Sequence, residues 1–292
     1  MTISLGLMMF PALMILIFIG FPVAFALFGV SVLFGYIRFG DVLVHQLIAK
    51  VDDVASYYVL SAVPLFIFMG CMLEKSGVSE KLFEAVHLVT RKLPGGLAIA
   101  TVVLCVFFAA ASGVVGAAES VVGLMVISVM LRHGYDKGLI SGTICAGGSL
   151  GTIIPPSVVV VILSPIAGVG VGNLFVGIMF PGLILAGLYI VYILLRCSIW
   201  PDDGPSVDNG ESYGSIGSQA WVVFSSLVPL FGLIFSVLGT IMLGWATPTE
   251  AGAMGAIGTI ILTILYRTFS WVLLKDAFLK ALRVTAMIMT IL

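Results

Sequence analysis

Residues 138 to 195 form the longest stretch of this chain without a charged side chain. Because a membrane-spanning helix needs only about 20 apolar residues, this stretch is long enough for two crossings. The segment GGSLGTIIPPS at residues 147–157 interrupts it, and glycines with a proline pair do not continue a regular helix. Hydrocarbon tolerates such a break only inside protein or beside water, where transporters hold ions and substrates. A water-exposed loop between two spans is the alternative.

The composition is typical of a membrane protein. Hydrophobic residues make up 61% of the chain and charged residues 9%, whereas soluble domains contain roughly 25% charged residues. A net charge of −1 provides no basic surface, so we expect the lipid bilayer and no nucleic acid as a partner. The four cysteines lie far apart in apolar surroundings, which indicates core residues and not disulfides or metal ligands.

The positions of the charges divide the chain into membrane crossings. Uncharged segments predict crossings near residues 3–19, 22–37, 57–73, 138–168, 172–196, 220–243 and 248–266. A soluble loop is expected at 201–219, where Asp, Gly and Pro are concentrated. The chain is therefore predicted to be an all-α polytopic membrane protein. A first structural repeat at 1–200 would carry scaffold helices and a surface arm helix, and a second repeat would start at 220–292.

Basic residues set the expected orientation. If the N-terminus is periplasmic, only Arg38 and Lys50 of the 13 Lys and Arg lie outside, as the positive-inside rule requires. The two repeats then start on opposite sides, which is the arrangement of an inverted repeat. Residues 284–292 are apolar but too few to span, so we expect the native chain to continue beyond Leu292.

Residues 93–131 have two possible interpretations. Basic residues at both ends place these ends in the cytoplasm, and the central sequence AASGVVGAAES at 110–120 permits a tight turn. Two ordinary crossings fit this pattern, and so does a re-entrant hairpin whose tip stops inside the protein.

Two glutamates accompany these spans. Glu119 follows the turn, and a carboxylate at membrane depth is usually functional or paired. If the turn opened to water, Glu119 would simply be solvated. Glu250 follows Pro248, which favours the first turn of a helix for both residues.

Secondary active transport is the function that the sequence favours. An enzyme would need clustered His, Asp or Glu, and no catalytic residue is expected because the three His are dispersed. An ATP-driven pump would need G-x-x-x-x-G-K-[ST], which this sequence lacks. The alternatives are an ion channel, or a transporter of another ion-coupled family that uses no binding protein.

Five ordered motifs resemble one known family. They are AVPLFIFMG at 62–70, LPGGLAIA at 93–100, GYDK at 134–137, GGSLGTIIPPS at 147–157 and ATPTEA at 246–251. Together they resemble the large membrane (M) subunit of tripartite ATP-independent periplasmic (TRAP) transporters, here truncated at the C-terminus. The resemblance implies an inverted-repeat, elevator-type importer in the bacterial inner membrane, driven by sodium and without another cofactor.

The resemblance also implies partners and site residues. A periplasmic substrate-binding protein would deliver a small organic anion such as a carboxylate, and a small membrane subunit would complete the transporter. In that family the hairpin tip and the unwound helix after it form a sodium site. Carried over to this chain, its residues are Ser112, Gly113, Gly116, Gly148, Ser149, Gly151, Thr152, Pro155 and Pro156. Glu119 is a departure at the tip, and the resemblance assigns neither substrate-binding residues nor another metal site.

Overall fold

The computed structural model describes residues 2–113, 117–206 and 216–291, and these residues form helices joined by turns and short loops. Their boundaries are α1 Thr2–Ile19, α2 Val23–Phe39, α3 Val42–Ala55, α4 Ala62–Lys75, α5 Val78–Thr90, α6 Gly96–Ser112, α7 Ala117–Arg132, α8 Lys137–Ile153, α9 Val158–Ala167, α10 Val171–Ile199, α11 Ile216–Ile234, α12 Thr240–Met242, α13 Pro248–Leu265 and α14 Trp271–Ile291. The predicted all-α class is confirmed.

Membrane-crossing candidates among the described residues match the later predicted crossings. Four helical segments are long and apolar enough: Tyr58–Lys75, Val171–Ile199, Val223–Met242 and Pro248–Leu265. The pair α8 and α9, bent by 42° at its break, provides a fifth. In α1 and α2 the apolar segments Gly6–Ile19 and Val23–Phe39 are shorter than these candidates.

The chain divides into two compact units, of which residues 1–58 and 286–292 form the smaller. In this unit α1 and α2 pack together, and the chain turns between them at Gly20, whose φ is +104°. The turn therefore lies where the sequence predicted it. Helix α3 follows as an amphipathic element that the distribution of charges did not predict.

Residues 59–285 form the larger unit, which is built around α6. This helix is apolar on all sides, and buried residues from Leu97 to Ala111 contact α4, α5, α7, α8, α10 and α11. A helix with no polar face is stable only when it is covered all round. The end of α6 is therefore held in a fixed position inside the unit.

Small residues bring α13 close to α4. Gly252 lies against the side chain of Leu65, and Gly255 lies against Met69. Gly255 also faces Val237 in a π-helical segment, Phe235–Gly239, that joins α11 to α12. Small residues at helix contacts allow close backbone approach, which is the main source of packing energy in a membrane.

Helix α13 begins with a capping box. The Glu250 backbone N–H donates to Thr247 Oγ1 at 3.3 Å, and the Thr247 N–H donates to Glu250 Oε2 at 2.8 Å. Pro248 occupies the first turn. The predicted helix-start role of Glu250 is confirmed, because its carboxylate satisfies an amide that the helix itself cannot pair.

Two of the sequence motifs meet at one end of the larger unit. The backbone N–H of Leu97 donates to the hydroxyl of Tyr135 at 3.2 Å, and Gly95 N donates to Gly204 O at 2.9 Å. Burial raises the pKa of Tyr135 to about 12, so this hydroxyl stays protonated at physiological pH. The LPGG and GYDK motifs thus anchor the start of α6.

We predict that Tyr135→Phe destabilises the full-length protein by about 1–3 kcal/mol, because the buried Leu97 N–H loses its acceptor. Thermal unfolding in detergent should show a lower midpoint. Tyr36→Phe is the matched control, since Tyr36 is exposed in the smaller unit and its change should leave the midpoint unaltered. Equal midpoints for the two variants would contradict the anchoring role of Tyr135.

Candidate ion site at a helix break

The break between α8 and α9 leaves carbonyl groups without helical donors. In a regular helix the carbonyls of Gly151 and Thr152 would accept from residues 155 and 156. Both of these residues are prolines, which have no N–H, and the chain is extended at Ile154 and Ser157. The helical ladder therefore provides no donor for the two carbonyls, which are available to a ligand.

The end of α6 lies directly against this break. The backbone N–H of Val158, the first residue of α9, donates to the carbonyl of Gly113 at 3.2 Å. A Cβ atom at Gly113 would overlap the carbonyl oxygen of Pro156, and Gly113 has a φ of +61°. Only glycine combines this close approach with a left-handed backbone at no steric cost.

Glu119 lies in the first turn of α7, as predicted, and its side chain contacts the break-bearing helix. A Cβ atom at Gly148 would collide with the Cγ, Cδ and Oε1 atoms of Glu119. Gly148 precedes Gly151 and Thr152 by three and four residues, so all three lie on one face of α8. The helix rises about 4.5–6 Å from Gly148 to these two residues, so the partly buried carboxylate lies on the same face as the freed carbonyls, about 5–8 Å before them.

Two hydroxyls on α8 donate to their own helix. Ser149 Oγ donates to Ala146 O at 2.7 Å, and Thr152 Oγ1 donates to Ser149 O at 2.7 Å. A hydroxyl has one proton and two acceptor lone pairs. Each oxygen therefore keeps lone pairs that can accept from, or coordinate to, a neighbouring group.

Ser157 is a site residue that the family pattern did not assign. It is completely buried, and within the described residues its Oγ atom has no hydrogen-bond partner. A buried hydroxyl without a partner is unfavourable unless a ligand or water satisfies it. The sequence shows that Ser157 directly follows Pro156. It does not show that the side chain is buried, because the burial comes from packing against the end of α6.

Neighbouring helices close the site from behind. Gly147 lies against Cys105 of α6, and Gly182 of α10 lies against Ile153 and Ile154. Cys105 is thus a core residue, as predicted for all four cysteines, but the prediction is wrong for Cys145, which is exposed. These contacts fix both arms of the break and exclude bulk water from the apolar side of the site.

The structure brings some of the predicted site residues together. Gly113 contacts Pro156, and Glu119 contacts Gly148. Ser149, Gly151 and Thr152 lie between these contacts on α8, Pro155 lies in the break, and Ser112 is the last residue of α6. Gly116 lies outside the described residues. Within the described ranges no cluster of three His, Cys, Asp or Glu could hold a metal ion, so the oxygen donors are backbone, hydroxyl and one carboxylate.

Comparison with known proteins finds one matching family and several relatives. Residues 10–292 match the family described as "Tripartite ATP-independent periplasmic transporter, DctM component". The chain is 34% identical over 253 residues to the C4-dicarboxylate TRAP transporter large permease protein DctM of Vibrio cholerae, covering 85% of this chain and 54% of that protein.

Two further relatives are also named as TRAP transporter permease proteins. The protein of the same name from Pseudomonas aeruginosa is 32% identical over 253 residues, with 85% and 57% coverage. The isethionate TRAP transporter permease protein DctMQ of Oleidesulfovibrio alaskensis is 29% identical over 277 residues, with 94% and 42% coverage. The chain thus spans about half the length of the curated relatives it matches.

We predict that Gly113→Ala lowers the unfolding temperature of the full-length protein more than Gly134→Ala does. Both glycines have positive φ, but a Cβ at Gly134 meets nothing within 4 Å. Gly134→Ala therefore measures backbone strain alone, about 1–2 kcal/mol. Gly113→Ala adds the overlap with Pro156, which lowers the free energy of unfolding by about 1–3 kcal/mol more. Equal shifts in thermal unfolding would show that Gly113 does not contact the break.

Proposed function

The chain belongs to the DctM family of tripartite ATP-independent periplasmic transporters, and we propose that it contributes a sodium site to a secondary active importer of small organic anions. This family consists of transport proteins and not enzymes. Coupling, substrate and partners are part of this proposal.

The observation that carries the proposal is the pair of freed carbonyls beside a carboxylate. Gly151 and Thr152 lie in the last turn of α8, and the C-terminal end of a helix carries partial negative charge. Transporters coordinate sodium with such unwound carbonyls and half-helix C-terminal ends. The hydroxyl oxygens of Ser149, Thr152 and Ser157 are further hard donors of the type that an alkali cation prefers.

Glu119 strengthens this preference for a cation. Two opposite unit charges about 5–8 Å apart at an effective dielectric of about 20 interact by about 2–3 kcal/mol. This corresponds to roughly a 100-fold change in affinity. A bound cation would also offset the unfavourable burial of the carboxylate at membrane depth. We therefore propose that Glu119 faces the ion and lies away from an anionic substrate.

Helix lengths support a re-entrant hairpin for residues 93–131. Helices α6 and α7 have 17 and 16 residues, or about 25 Å each, against a hydrocarbon core of about 30 Å. The Gly113 carbonyl accepts from Val158 at the break, which lies inside the bent α8–α9 span. Both observations favour a tip that ends within the protein over two complete crossings.

Substrate and partners follow from the relatives. Two of them are C4-dicarboxylate permeases, which supports a small carboxylate as the transported anion. The matching family is described as tripartite, which supports two further components, a small membrane subunit and a binding protein. A periplasmic binding protein would deliver the substrate in a bacterial inner membrane, with the N-terminus of this chain in the periplasm.

The inverted repeat and the elevator motion remain part of the proposal. They rest on the family resemblance and on the opposite starting sides of the two predicted repeats. The proposed division puts the first repeat at 1–200 and the start of the second at 220–292.

We expect uptake of succinate to require sodium. The measurement uses vesicles that contain the full-length protein, its small subunit and its binding protein loaded with labelled succinate. Replacing external sodium with choline should abolish uptake, because choline is too large for the carbonyl site. Full uptake driven by a proton gradient in choline would exclude sodium coupling. Uptake of another organic anion, with sodium still required, would correct the substrate alone.

We expect Glu119→Gln to raise the sodium concentration for half-maximal uptake by about 10- to 100-fold, because the attraction estimated above is removed. The variant keeps the shape of the side chain, so expression and unfolding temperature should change little. Glu84→Gln is the matched control, since Glu84 is exposed on α5. An unaltered sodium dependence in Glu119→Gln would show that Glu119 is a bystander.

A further inference from the structure

A groove of about 510 Å³ lies between α6, α8 and α10, away from the ion site. Small residues of α8 form its floor, and large apolar residues of α10 form one wall. The floor residues are Gly138, Gly142 and Ala146, and the wall residues are Leu185, Leu188 and Tyr189. The ion site uses Gly148 and Gly151 of α8 instead, so the groove is a separate feature.

The groove is accessible from outside the larger unit. A Cβ atom at Gly142 would meet nothing within 4 Å, and Leu188 and Tyr192 beside it are more than half exposed. The walls are apolar, so in a bilayer the natural filling is hydrocarbon. The floor is apolar as well, with one exception.

That exception is Thr143, which lines the groove although its hydroxyl oxygen is itself buried. Thr143 is 4% exposed, and within the described residues its Oγ1 atom has no hydrogen-bond partner. A buried hydroxyl of this kind is unfavourable unless water or a bound group accepts its proton. Thr143 follows Lys137, the first residue of α8, by six residues, which is about 9 Å along the helix axis. Because the headgroup layer is about 5–8 Å thick, Thr143 lies near the boundary between headgroups and hydrocarbon.

The mouth of the groove carries charges of both signs. Arg196 Nε donates to Asp203 at 2.9 Å, and its Nη1 donates to the Tyr192 hydroxyl at 3.2 Å. Asp136 Oδ2 lies 3.8 Å from Arg196 Nη2. Trp200 adjoins this cluster, and Trp and Tyr concentrate at the headgroup level of membranes. One guanidinium with two carboxylates matches a headgroup that carries a phosphate and an ammonium.

We propose that this groove binds a phospholipid with a zwitterionic, primary-ammonium headgroup. One acyl chain lies along Gly138, Gly142 and Ala146, and an ester carbonyl accepts from Thr143. The phosphate lies at Arg196 and the ammonium at Asp203 and Asp136. A helix of another subunit would fill the apolar part of the groove, but its apolar surface would not match the mixed charges at the mouth.

Native mass spectrometry of the full-length protein tests this site. Phosphatidylethanolamine, phosphatidylcholine and phosphatidylglycerol are added separately at equal concentration. We expect phosphatidylethanolamine to be retained at least about five times more than the other two. Phosphatidylcholine lacks the donating ammonium, and phosphatidylglycerol adds net negative charge near Asp203 and Asp136. Equal retention of the three lipids would overturn the headgroup assignment and the proposal with it.

Two variants locate the bound lipid. Gly142→Leu extends into the groove from a position where an added Cβ meets nothing within 4 Å, and should remove most of the retained phosphatidylethanolamine. Ser141→Leu adds the same side chain at an adjacent exposed position of α8 and should leave retention unchanged. If both variants retain the lipid equally, the lipid lies elsewhere.

Thr143→Val and Asp203→Asn test the polar contacts with nearly unchanged side-chain shapes. Thr143→Val should reduce retention of all three lipids severalfold, because each has ester carbonyls. Asp203→Asn should reduce the preference for phosphatidylethanolamine over phosphatidylglycerol. If a Gly142→Cys variant crosslinks to a partner subunit and retains no lipid, a helix is the occupant and the proposal is overturned.

Discussion

In hydrocarbon an unpaired backbone carbonyl is unfavourable by several kcal/mol, and the break between α8 and α9 creates two of them. Pro155 and Pro156 remove the donors that Gly151 and Thr152 would otherwise use. A break of this kind is stable only if other parts of the protein enclose it. Helices α6, α7 and α10 pack around the break and provide this enclosure within the larger unit.

The enclosure depends on glycine at two contacts. Gly113 allows the end of α6 to touch Pro156, and Gly148 makes room for the Glu119 side chain. The end of α6 and the Glu119 carboxylate thereby contact the broken helix at two places, at Pro156 and at Gly148. The proposed cation would stabilise both the freed carbonyls and the partly buried carboxylate.

Other motifs of the chain have structural roles that can be separated from the ion site. LPGG and GYDK meet through Tyr135 and Leu97, and ATPTEA contains the capping box of α13. These motifs fix the ends of helices, whereas GGSLGTIIPPS interrupts one. Arg196 ties the loop after α10 to the start of α8 through Asp203 and Asp136, and thereby forms the mouth of the lateral groove. The family pattern therefore combines anchoring residues with site residues.

The sequence by itself determined the all-α membrane class, the later crossings, the helix break and the start of α13. These features follow from local rules: apolar length, the missing N–H of proline and the pairing of a cap. Tertiary structure alone decided which groups meet. The contact of Glu119 with Gly148, the burial of Ser157 and the lateral groove at Thr143 join residues of different helices. Their physical basis is the packing of α6, α7, α8 and α10, which no single segment encodes.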